Sequence, residues 1–113
     1  WKTLEMYLGM TQVEVDKRDD RGTNEGDKLK GLTHSWCAGT SGCGESGFNA
    51  SPAGFRNADG SLINVGSIGN WWTSTPITVP SAWGRYLHPG SAGVSRETVS
   101  QEYGFSVRCL WGQ

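Results

Sequence analysis

The chain carries three Cys and two His, the side chains best suited to metal ligation or nucleophilic chemistry. An odd Cys count leaves at least one thiol unpaired or paired outside the chain. Cys37 and Cys43 flank Ala-Gly-Thr-Ser-Gly, a flexible loop in which a local disulfide is sterically easy. With His34 they would supply three zinc ligands, but the spacing matches no standard module and the fourth ligand is missing. His34-Ser-Trp-Cys37 pairs a thiol with a base, yet a surface-loop Cys beside a second Cys more often forms a disulfide. Neither His34 nor His88 sits in a nucleophile motif, and there is no Gly-x-Ser-x-Gly. Asp16, Asp19 and Asp20 alternate with cations and do not follow EF-hand spacing. The expectation is a non-catalytic chain with no metal and no cofactor. Cys109, in the apolar run Phe105-Ser-Val-Arg-Cys-Leu-Trp111, reads as a buried small hydrophobe.

The chemistry that remains is recognition. In Ala82-Trp-Gly-Arg-Tyr-Leu87, alternation puts Trp83, Arg85 and Leu87 on one face and Gly84, Tyr86 and His88 on the other. Trp83 and Leu87 are natural core residues. Tyr86 and His88 then face outward beside the loop Pro89-Gly-Ser-Ala-Gly93, which carries Ser91, and Ser95 and Glu97 share that surface from the return strand. Aromatic and polar groups on a rigid platform give contact area at low entropy cost. The candidate ligand-binding set is Gly84, Tyr86, His88, Ser91, Ser95 and Glu97, and the alternative is an ordinary solvated hairpin with a single exposed Tyr. Trp71 and Trp72 are adjacent and must point to opposite faces, and packing is the favoured use of both.

These residues need elements to hold them. Trp1, Leu4 and Leu8 share one helical face and Gly9 is a suitable stop. Thr11-Gln-Val-Glu14 has capping-box spacing and predicts a second, short helix. The charge run Glu14 to Arg21 reads as a solvated loop or helix end. Beyond Arg21 the helical period is lost. Gly54 to Gly66 reads as a hairpin turning at Asp59-Gly60. Asn70 to Thr75, Ala82 to Leu87, Val94 to Glu97 and Gly104 to Trp111 read as strands. The fold class is α+β: one or two N-terminal helices, then a loop-rich twisted antiparallel sheet.

At 113 residues the chain fits one domain, 1–113. Seventeen Gly and six Trp describe a loop-heavy domain anchored by large rings, since a disordered chain has no use for so many indoles. No stretch approaches the roughly 18–20 apolar residues of a membrane helix. Ten Lys plus Arg against eleven Asp plus Glu leave no basic footprint for nucleic acid.

Many separate positions then agree, in order, with one family. They include residues 1–10 (Trp-Lys-Thr-Leu-Glu-Met-Tyr-Leu-Gly-Met), Arg21-Gly-Thr23, Glu25-Gly26, Lys28-Leu-Lys30 and Glu45-Ser-Gly-Phe48. Arg56-Asn57, Asp59-Gly-Ser61, Trp71-Trp72, Ala82-Trp83, Arg85, Leu87 and Tyr103-Gly-Phe-Ser-Val-Arg-Cys109 continue the match. Together they resemble the Fibrobacter succinogenes major paralogous domain, a module of bacterial surface and secreted proteins. The resemblance implies a C-type-lectin-like fold, related to that of the formylglycine-generating enzyme, with a sheet supporting a loop-rich, variable face. Gly84, Tyr86 and His88 fall where the family pattern is open. It also implies an upstream Cys-Pro-x-Gly-Trp-like segment, so the domain is expected to lack its usual N-terminal segment and Cys109 to lack that Cys as partner. Lectins of this fold that bind sugar through calcium use Glu-Pro-Asn or Gln-Pro-Asp loops. This chain has Thr75-Pro-Ile77, Val79-Pro-Ser81 and His88-Pro-Gly90, which lack the paired oxygen ligands. The expected function is an extracellular or cell-surface ligand-binding, adhesin-like module for a protein or glycan. The alternative is a structural subunit of a surface appendage or polymer, through self-assembly or a partner chain that completes the domain.

Overall fold

The computed structural model describes residues 1–109. Helix α1 spans Lys2–Leu8 and stops at Gly9, whose φ of 134° suits a residue without Cβ. Helix α2, Gln12–Val15, starts as the capping signal predicts: the Thr11 hydroxyl accepts from the Glu14 amide at 3.1 Å. The Glu14 carboxylate leaves the box open and instead accepts from the Gly22 amide at 2.9 Å.

The charge run is a helix end and an exposed loop through Arg18, as expected, but it does not stay one. Asp19–Arg21 forms strand β1 at the sheet edge, and Arg21 is 3% exposed. Burial follows from its partner: Glu5 sits between Leu4 and Leu8 on the inner side of α1 and takes both terminal nitrogens of Arg21, at 2.7 and 2.8 Å. Helix α3, Glu25–Leu29, was not expected, because Gly26 breaks the apolar stripe that would announce it. Gly26 is where α3 presses on the Gly93 carbonyl, and a Cβ has no room there.

Strands β2 (Phe55–Arg56) and β3 (Leu62–Ile63) form the expected hairpin, turning through Gly60 at φ 90°. Strands β4 (Gly69–Pro76), β5 (Ser81–Leu87) and β6 (Val94–Ser100) join β1 in an antiparallel sheet of order β1-β6-β5-β4. The strand expected from Gly104 reduces, among the described residues, to single bridges at Gly104 and Ser106; Leu110 and Trp111 lie outside the described residues. Cys109 is exposed rather than buried, because the chain at 107–109 runs over the surface, with Val107 68% exposed and Arg108 lying over the Phe48 ring.

One face of the sheet packs on the helices. Trp71, Leu87 and Val94 meet Leu8, Val15 and Leu29, and Trp1 and Phe48 close against Trp71 at ring separations of 6.1 and 6.3 Å. Polar groups complete this core. Burial alone would raise the Asp27 carboxyl, but the Ala38 amide, the Lys30 ammonium and Thr40 more than offset it and hold it below the usual range. Cys37 and Cys43 form a disulfide, and Asp27 ties that loop to α3 through Ala38 and Thr40. Lys30 donates onward to the carbonyls of His88 and Ser91, so one buried ion pair fixes two loops. No helix is long and apolar enough to cross a membrane among the described residues.

Candidate functional site

Register decides what stands on the face turned away from the helices. Asp20, Ser95, Tyr86 and Asn70 form one cross-strand row, and Glu97, Gly84 and Trp72 form the next. In an antiparallel pair, directly opposed residues project to the same side, so these two rows share a face.

That face is roofed by an aromatic cluster. A Cβ on Gly84 would meet Phe105 Cε2 at 3.0 Å, so the absent side chain lets the ring come down onto the strand. Phe105 stacks on Trp72 at 4.2 Å and 25°, and meets Phe55 and Tyr86 edge to face at 5.9 and 6.0 Å. Phe55 in turn stands at 90° to Tyr103. Near-perpendicular rings cannot fill the space between them, and a concavity of about 300 Å³ results, walled by Phe55, Tyr86, Tyr103 and Phe105 and edged by Asn57, Ile63 and Val99. Burial, then the charge of Glu97 and the neighbouring Tyr103, raises the Tyr86 phenol above its ordinary value. Burial, then the Asp19 carboxylate beside it, likewise raises Glu97.

The expected set divides in two. Gly84, Tyr86 and Glu97 come together at or beside the concavity, with Gly84 buried beneath the Phe105 ring. Ser91 and Ser95 turn to Asp20, donating to its carboxylate at 2.6 and 3.4 Å, and Ser91 also accepts from the Gly93 amide. His88 stands half-buried at the root of the loop, with its carbonyl held by Lys30. Sequence reasoning missed Phe55, Tyr103 and Phe105. The available signal was the Gly inside β5, which marks close approach by something large, together with the alternating rings of Tyr103-Gly-Phe105. Trp71 and Trp72 pack on opposite faces, Trp71 in the core and Trp72 under Phe105.

Among the described residues, no three His, Cys, Asp or Glu side chains converge as a metal site. The arrangement offers an amphipathic hollow with phenol donors and one amide at its rim, which suits non-covalent recognition. The molecule is thus a small disulfide-bearing α+β domain that presents an aromatic concavity on one sheet face. The chain belongs to the Fibrobacter succinogenes major domain family, whose pattern it matches over residues 1–110. Neither the curated proteins nor the solved structures contain a match to it.

Proposed function

We propose that this domain is a non-catalytic ligand-binding module of a bacterial surface or secreted protein, with a C-type-lectin-like fold, and that it engages a protein or glycan at the aromatic concavity. The observation that carries this reading is the four-ring hollow at Tyr86, held open by perpendicular packing about Phe105, which is seated on Gly84. Such a hollow is pre-formed, so little ordering cost opposes binding. The family resemblance supports the surface location and the fold class. The disulfide fits an oxidising compartment.

The test is an array of glycans and bacterial surface proteins probed with the folded domain, with and without EDTA. Tyr86→Ala/Tyr103→Ala runs alongside, its fold checked by thermal unfolding. A hit that survives EDTA and disappears in the folded double variant is the expected outcome. An array without hits, together with self-association in solution, replaces this reading with the assembly role.

A further inference from the structure

The opposite face of the same sheet carries a second hollow, of about 300 Å³, between the start of α1 and the strands β4, β5 and β6. Its chemistry is cationic and hydroxylic: Arg85, Arg96 and Lys2 line it with Thr3, Ser74 and Thr75. Charge there does not balance. Glu5 accepts from both Arg21 and Arg85 (the latter at 3.0 and 3.1 Å), so one carboxylate serves two buried guanidiniums and leaves a positive charge over.

Arg96 adds another. Its guanidinium lies 3.9 Å from the centre of the Trp83 ring and donates through Nη1 to the carbonyls of Asp16 and Lys17. The nearby carboxylates are engaged elsewhere. Asp16 is held by Lys2 at 2.8 Å and by Gln12, and Asp19, the cross-strand partner of Arg96, lies beside Glu97. Among the described residues, Arg96 has no ion-pair partner, and its Nε and Nη2 have no protein acceptor, nor has Arg85 Nη1. Burial, first of all, depresses both Arg85 and Arg96; Arg21 adds to it at Arg85 against the pull of Glu5, and Arg85 and Arg21 add to it at Arg96 against the pull of Asp16 and Glu5.

We propose that this groove is a binding site for a small oxyanion group (carboxylate, sulfate or phosphate ester), received by the free edge of Arg96 and the open nitrogen of Arg85. A planar guanidinium already immobilised on an indole presents its remaining donors at little entropic cost. The Ser74 and Thr75 hydroxyls extend the donor set along β4. The site is independent of the aromatic hollow, because alternation along β5 sends Arg85 and Tyr86 to opposite faces.

The test is NMR titration of the chain with sodium sulfate, sodium phosphate and sodium glucuronate, each against sodium chloride at matched ionic strength. The Trp83 indole and Arg96 Nε signals report. Saturable shifts with at least one oxyanion, absent with chloride, are expected, and the salt that saturates at lowest concentration identifies the favoured group. Arg96→Gln weakens binding about tenfold or more, Arg96→Lys weakens it less, and Tyr86→Ala leaves it unchanged. Shifts that track ionic strength alone, or binding intact in folded Arg96→Gln or Arg96→Lys, would each overturn the proposal.

Discussion

The two hollows have the same size and share strands, yet their chemistries are opposite. Tyr86 and its ring neighbours wall one, with Glu97 beside it, and Arg85 and Arg96 line the other. In each strand these are consecutive residues, so a two-residue period suffices to segregate charge across a sheet one layer thick. The faces also differ in what holds them. The aromatic face rests on rings packed at its outer surface, whereas the cationic face rests on a buried ion triad inside the core. Disturbing the first should cost recognition more than folding, and disturbing the second should cost folding first.

The largest effect is expected from Glu5→Gln. It leaves two guanidiniums buried without a counter-charge, a loss on the order of 3–5 kcal/mol by analogy with broken buried pairs, measurable by urea unfolding. Glu5 also sets an acid limb. Burial opposes its ionisation, but Arg21 and Arg85 outweigh that and hold its carboxyl below the usual range. Its contribution is therefore full above the ordinary carboxylate pKa and falls away as pH drops through the lower folded value. Stability of the parent should decline on acidification, and Glu5→Gln should flatten that slope. An unchanged slope would remove the triad from the account of this face.

Phe105→Ala sharpens the comparison from the other side. The ring is half-buried, so its loss should cost about 2 kcal/mol, below the range for a fully buried Phe, while abolishing ligand capture at the hollow. A loss of stability equal to that of Glu5→Gln would mean that the aromatic face is a core rather than a platform.

The smallest effect is expected at Glu97, and its sign is opposite. Its carboxyl is raised in the folded state, by burial first and then by Asp19, so ionisation above the usual pKa opposes folding. Glu97→Gln should gain under about 1 kcal/mol at pH 7, after allowing for solvent screening, and the gain should vanish in acid where the parent is protonated. Matched thermal melts at pH 7 and in acid check this. A destabilised variant at pH 7 would show that the Glu97 charge has a favourable partner.

Sequence determined whatever depends on neighbours along the chain. The stop at Gly9, the cap at Thr11, the turn at Gly60, the loop disulfide and the alternation through β5 all rest on residues a few positions apart. Family membership was equally legible, from ordered residues across the chain. Tertiary structure alone decided the rest. The run Glu14 to Arg21 looked solvated because its charges alternate, and only the approach of Glu5 and of β6 draws Arg21 inward. Tyr86 was legible as a candidate, but its companions Phe55 and Tyr103 lie far from it in sequence and meet it only once Phe105 settles on Gly84. Cross-strand rows and buried charge pairs depend on which segments become neighbours in space, and local propensity carries no record of that choice.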